Sequence, residues 1–66
     1  MTIGEKIKKA RTDAKMTQKE LAEKCGMADS AIRKYESGKV VPKLDTIAKI
    51  ARAMGLYAGD LVDAGQ

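Results

Sequence analysis

Two short helical patterns lie within residues 16–39, whose sequence is MTQKELAEKCGMADSAIRKYESGK. Thr17 and Glu20 have the spacing of a capping box, in which a hydroxyl and a carboxylate accept hydrogen bonds from the unpaired N–H groups of a helix start. Gly26 follows the first pattern and Gly38 the second, and glycine readily adopts the left-handed geometry that ends a helix. The segment therefore predicts helices over about 17–25 and 28–37, joined by a turn of about three residues.

Helical periodicity also precedes this segment. Apolar side chains recur at the spacing of one helix face at Ile3, Ile7, Ala10 and Ala14. The spacing predicts a first helix over roughly residues 2–14, with lysines on its solvent side.

The pattern resumes after a linker that contains Pro42, a residue without a backbone N–H donor. A fourth helix is predicted from Leu44 to Met54, closed by Gly55, and a short fifth helix over about 58–63. Because no window alternates with a period of two, the predicted fold is all-α with five helices.

The apolar positions of these helices predict one small core. Its expected members are Ile3, Ile7, Leu21, Cys25, Ile32, Tyr35, Leu44, Ile47, Ala51, Met54, Leu61 and Val62. A chain of 66 residues has too few side chains to fill a second core, so we expect residues 1–66 to form a single domain.

The composition excludes several classes of site. The chain has no histidine and one cysteine, Cys25. A disulfide needs two cysteines, a zinc finger needs several Cys or His ligands, and Ser-His-Asp and Cys-His catalytic sites need a histidine. We therefore predict no enzyme, no metal and no other cofactor. The position of Cys25 on an apolar helix face favours a buried core residue over a reactive thiol.

Two further observations concern the cellular location. The charge-free stretch 53–59 is too short to span a bilayer, and residues 1–6 lack the apolar segment of a secretory signal. A single unpaired cysteine suits a reducing compartment. We therefore expect a cytoplasmic protein with no membrane partner.

Positive charge is concentrated in the first two-thirds of the chain. The net charge of the chain is +4. Residues 1–43 carry eleven basic and six acidic residues, whereas residues 44–66 carry two and three. This division is expected if the first part contacts a polyanion. An ordinary solvated lysine surface explains it equally well.

Two helices joined by a short glycine-containing turn form the pattern of a DNA-binding helix-turn-helix, whose second helix lies in the major groove. A helical wheel of residues 28–37 turns Ala28, Ile32, Tyr35 and Glu36 toward the core. The outward face carries Ser30, Arg33, Lys34 and Ser37. Short hydroxyl side chains allow close approach, and Arg or Lys can donate to guanine. The same face is also compatible with plain exposure to water.

These motifs resemble the lambda-repressor-like (Cro/CI-type, XRE) helix-turn-helix family. The resemblance rests on residues 16–22, Gly26, residues 32–39 and Pro42, and residues 44–55 resemble the fourth helix of that family. It extends from about Ile3 to Val62, which is nearly the whole chain.

The resemblance implies roles for individual residues. It places Gln18 and the pair Ser37 and Lys39 against the DNA backbone, and it gives base-reading positions to residues 28–30 and Lys34. Together with the helical wheel, this yields eight candidate DNA-binding residues: Gln18, Ala28, Asp29, Ser30, Arg33, Lys34, Ser37 and Lys39. The resemblance also implies an ion pair between Arg11 and Glu36 that ties the first helix to the third.

Some positions depart from the family pattern. Ala28 stands where the family often has a capping Ser or Thr, and Lys43 and Tyr57 replace the usual cap residues of the last two helices. Asp29 is unusual beside DNA because phosphates repel a carboxylate. It can accept a hydrogen bond from cytosine N4, or it can stabilise the first helical turn.

The predicted function is sequence-specific binding of double-stranded DNA by a transcriptional regulator. We expect a repressor that binds a two-fold operator as a homodimer, of bacterial or phage origin. Two alternatives stay open: a protein-interaction module of the same fold, such as an antitoxin or adaptor, and the N-terminal part of a longer repressor.

Overall fold

The computed structural model describes residues 1–62 and contains five α-helices in that range. They are α1 (Ile3–Asp13), α2 (Gln18–Cys25), α3 (Asp29–Ser37), α4 (Leu44–Ala53) and α5 (Ala58–Leu61). Residues 1–62 contain no strand, so the predicted all-α fold with five helices is confirmed. The predicted end of the last helix at residue 63 lies outside the described residues.

Capping boxes fix the starts of the first two helices. Thr17 N–H donates to Glu20 Oε1 at 2.8 Å, and Glu20 N–H donates to Thr17 Oγ1 at 3.0 Å, as the sequence predicts. Thr2 and Glu5 form the same arrangement at the start of α1, which the sequence analysis did not single out. In both boxes, hydrogen bonds from the threonine to the carboxylate lower the pKa of the glutamate.

Residues with left-handed backbone geometry end α2 and α3. Gly26 follows α2 with a φ of 70°, and Gly38 follows α3 with a φ of 82°. Lys15, between α1 and α2, adopts a φ of 58° although it is not a glycine. Both glycine assignments from the sequence are confirmed.

Within residues 1–62, the core consists of nine buried residues from all five helices. They are Ile7, Leu21, Ala22, Cys25, Ile32, Ile47, Ile50, Ala51 and Leu61. Four further predicted members, Ile3, Tyr35, Met54 and Val62, are partly buried and pack against this cluster.

The prediction for Leu44 is wrong, because 67% of its surface is exposed. It is the first residue of α4, and the apolar period of a helix does not show where along the helix its packing on other elements begins. The buried face of α4 is instead formed by Ile47, Ile50 and Ala51. Ile50, which the sequence analysis did not include, is fully buried.

Helix α1 crosses the end of α3 at a glycine. A Cβ atom added to Gly4 would lie 2.3 Å from the carbonyl oxygen of Tyr35 and 2.9 Å from that of Glu36. These neighbours are backbone atoms, which cannot rotate away as a side chain does. Only a residue without a side chain therefore allows α1 and α3 to approach this closely.

One ion pair connects the same two helices. Arg11 Nε donates to Glu36 Oε2 at 2.6 Å, and Arg11 Nη2 donates to Glu36 Oε1 at 3.1 Å. The third donor, Arg11 Nη1, reaches the carbonyl oxygen of Met16 at 2.7 Å. Because the Glu36 side chain is only 4% exposed, its charge depends on these donors for stabilisation. The pair thus joins α1, α3 and the segment that enters α2.

Substituting Gly4 by alanine is expected to lower the free energy of unfolding by about 1–3 kcal/mol, because the new methyl group overlaps the backbone of α3. Gly59→Ala is the matched control, since a Cβ atom at Gly59 meets nothing within 4 Å. It should leave stability unchanged or raise it by up to about 1 kcal/mol. Urea unfolding of the two variants tests this, and equal stabilities would contradict the close approach.

Removing Glu36 leaves the guanidinium of Arg11 largely buried and unpaired. Glu36→Ala should therefore lower the free energy of unfolding by about 3 kcal/mol or more. Asp13→Ala is the control, because Asp13 pairs with Lys9 at 3.1 Å on the exposed side of α1 and should cost under about 1 kcal/mol. A melting temperature of Glu36→Ala within one or two degrees of the parent would show that the pair contributes little.

Candidate nucleic-acid interface

Helix α3 is held against the molecule along one side. Ile32 is fully buried, Tyr35 is half-buried, and the side chain of Glu36 is only 4% exposed. The opposite side is exposed at each of the four positions given by the helical wheel: Ser30, Arg33, Lys34 and Ser37. The packing of α3 on α1 and α2 therefore leaves a polar face with two cationic side chains open to a ligand.

The start of α3 differs from the wheel. Ala28 precedes the helix with an extended backbone, φ −75° and ψ 147°, and its side chain is exposed. The prediction that Ala28 faces the core is wrong, because a wheel describes only residues with helical geometry. Ala28 also provides no side-chain hydrogen bond to the helix start, as expected from the loss of a capping hydroxyl.

Gln18 is connected to the ion pair that joins α1 and α3. It is the first residue of α2, and its Nε2 donates to Glu36 Oε1 at 3.0 Å. A glutamine amide carries a second N–H donor and a carbonyl oxygen, which stay available for another partner. The side chain is thus fixed by Glu36 and half-buried, with donor capacity left over.

The far end of α3 is organised by Ser37. Its hydroxyl donates to the carbonyl oxygen of Lys34 at 3.0 Å and accepts from the backbone N–H of Lys39 at 3.3 Å. The same Lys39 N–H also reaches the Lys34 carbonyl oxygen at 3.0 Å. Ser37 therefore fixes the turn at Gly38, and the exposed Lys39 leaves the helix in a defined direction.

Asp29 and Arg33 form an ion pair on the exposed surface of α3. Arg33 Nη2 donates to Asp29 Oδ2 at 3.3 Å, and both side chains are more than half exposed. The two residues are four apart on one helix, a spacing at which opposite charges attract. This pair was not predicted, although its spacing in the sequence is a local signal for it. The contact between Gln18 and Glu36 joins different helices and has no such local signal.

Residues 1–62 contain neither an exposed reactive thiol nor a cluster of metal ligands. Cys25 is buried, and its burial raises the pKa of the thiol, which disfavours the reactive thiolate. Residues 1–62 contain no group of three or more Cys, Asp or Glu side chains that could hold a metal ion. Among the same residues, no helix has the length and apolar character needed to cross a membrane.

Comparison with known proteins identifies related sequences. Multiprotein-bridging factor 1 of Candida albicans is 39% identical over 56 residues, which cover 85% of this chain and 37% of that protein. Multiprotein-bridging factor 1a of Arabidopsis thaliana is 43% identical over 49 residues, covering 74% and 34%. The immunity repressor protein of Bacillus phage phi105 is 36% identical over 62 residues, covering 94% and 43%.

This chain therefore spans between about a third and two-fifths of the length of these relatives. A family described as helix-turn-helix matches residues 7–61, which include all of α2, α3, α4 and α5 and most of α1. The chain belongs to the lambda-repressor-like (XRE) helix-turn-helix family of DNA-binding domains.

Proposed function

We propose that this domain binds double-stranded DNA with sequence preference and acts as a transcriptional repressor. The observation that carries the proposal is the exposed polar face of α3, presented by a helix whose other side is fixed in the core. In a helix-turn-helix, such a face enters the major groove while the preceding helix contacts the DNA backbone.

Docking on phosphates is assigned to residues at the two ends of the helix pair. The amide of Gln18 is oriented by Glu36 and has a second N–H that can donate to a phosphate oxygen. Lys39 follows the turn that Ser37 fixes, beyond the end of α3. Contacts of this kind set the register of the protein and carry no base preference.

Base reading is assigned to the outward residues of α3 and the residue before it. Ala28 and Ser30 are small and permit close approach to base edges, whereas Lys34 is exposed near the middle of the helix and carries an ammonium group. A lysine can donate to O6 and N7 of guanine. The serine hydroxyl can both donate and accept, so it adapts to several bases.

We further propose that the repressor binds as a homodimer. One recognition helix spans only a few base pairs, so two copies are needed for strong discrimination. Val41, Leu44 and Tyr57 are large apolar side chains with more than two-thirds of their surface exposed. Burial of these residues against a second copy would stabilise a two-fold dimer.

The names of the relatives support two versions of the function. A phage immunity repressor of similar sequence favours repression. Multiprotein-bridging factors favour a second candidate, a domain that contacts other proteins, and the exposed apolar residues offer a surface for that role. A bacterial or phage source stays a prediction, since the three relatives named above come from a fungus, a plant and a phage. A cytoplasmic location stays a prediction as well. That residues 1–66 are one part of a longer repressor is likewise a proposal.

Variants of two lysines separate base reading from docking. Lys34→Ala should cost about 1–3 kcal/mol on the preferred site and flatten the preference at one base pair. Lys39→Ala should weaken all sequences about equally and reduce the magnitude of the salt slope by about one. Competition binding across an operator library, at several salt concentrations, measures both effects. Equal behaviour of the two variants would refute the assignment, and an unchanged DNA affinity in both would favour the protein-interaction candidate.

The proposed homodimer predicts the symmetry of the DNA site that the protein binds. Selection of bound duplexes from a random pool should return inverted repeats whose half-site centres lie about 34 Å apart, one turn of DNA. Tyr57→Ser should weaken binding to the full repeat and leave binding to a single half-site unchanged. Recovery of isolated, asymmetric half-sites would count against the dimer.

A further inference from the structure

The ion pair between Asp29 and Arg33 lies on the face that we assign to DNA, where a carboxylate is unfavourable by itself. Phosphates repel it, and the pair adds little to helix stability because exposed pairs at this spacing contribute about 0.3–0.5 kcal/mol. The carboxylate also makes no capping bond to the start of α3, since its hydrogen bond goes to Arg33 Nη2. Its position in the first turn of α3 adds about 0.3–1 kcal/mol through the helix dipole, so helix stability gives only a modest reason for an acid here.

We propose that Asp29 is a positioning residue that holds the guanidinium of Arg33 in the orientation needed to read guanine. This inference rests on the proposed DNA binding and adds a specificity-determining pair to it. Arg33 is the residue that contacts the base, and Asp29 acts through Arg33.

The chemistry of the guanidinium group supports this assignment. It carries five N–H donors in a rigid plane, and the bond to Asp29 uses one of them, which leaves four for another partner. Guanine O6 and N7 accept two parallel N–H bonds from such a group. A free arginine loses the freedom of its long side chain when it binds, so a side chain that is already restrained binds at lower entropic cost.

The net charge of the pair supports the same assignment. With Asp29 beside it, Arg33 adds no net charge to the face, so the pair contributes little to the attraction that every phosphate backbone exerts. The four remaining N–H donors of Arg33 favour a site with acceptors at fixed positions. Lys34, by contrast, has no ion-pair partner within residues 1–62 and keeps its full charge. Asp29 thus lowers affinity for unrelated sequences and raises preference for guanine.

The test compares Asp29→Asn with Asp13→Asn. Both variants remove one negative charge from an exposed pair at the same spacing, Asp29 with Arg33 and Asp13 with Lys9. Asp13 lies on α1, outside the proposed interface, so it controls for the change in net charge. Each variant of the intact chain is assayed by competition binding against a library of duplexes with every base pair of the selected site varied.

Asp29→Asn should lower the preference for guanine at one position by about five- to tenfold, within the range of a bidentate contact. Its affinity for mixed-sequence DNA should rise a few-fold. Asp13→Asn should leave every base preference unchanged. In an Arg33→Ala background, Asp29→Asn should have no further effect on base preference, because its role operates through Arg33.

Three outcomes would overturn the proposal. Asp29→Asn with the base preferences of the parent would show that Asp29 serves only the helix. Effects of Asp29→Asn and Arg33→Ala that add independently would show that the carboxylate reads a base itself, as it would with cytosine N4. A parent domain that binds DNA without any base preference would remove the proposed function as well, and this result is distinct from the first two.

Discussion

The carboxylate of Glu36 is the point at which three helices meet. It accepts two hydrogen bonds from Arg11 of α1 and one from Gln18 at the start of α2, while it belongs to α3 itself. A buried carboxylate with one donor missing is costly, so the three helices are favoured in a single relative position. The orientation of α3, and with it every side chain on the exposed face, depends on this small network.

The network also requires the backbones of α1 and α3 to be close. Gly4 allows this, because any side chain at that position would meet the carbonyl oxygens at the end of α3. Arg11 lies two turns further along the same helix and reaches Glu36 from there. Gly4 and Arg11, seven residues apart, therefore fix how α1 and α3 cross. The glycine allows close contact between the backbones, and the arginine forms an ion pair. Apolar packing around Ile7, between them, fills the remaining space.

Local signals in the sequence predicted the helices, and non-local packing explains what was missed. Thr17, Gly26 and Gly38 act on their own helix ends, so their roles can be read from neighbouring residues. The exposure of Leu44 is a result of tertiary packing, and a pattern within α4 contains no such information. The bond between Gln18 and Glu36 joins residues 18 apart, which no periodicity specifies. The family resemblance supplied Arg11 and Glu36 only because it carries three-dimensional information.

The structure divides its side chains between two tasks. The inward side of α3 uses Ile32 and Glu36 to hold the helix in place, whereas the outward side makes bonds mainly within its own helix, as in the pair of Asp29 and Arg33. Because those outward bonds contribute little to folding, substitutions there can change what the helix binds while leaving the fold intact. A small domain with five helices and a modest core has a low free energy of unfolding. Keeping recognition on exposed residues therefore lets specificity vary without drawing on the contacts that position α3.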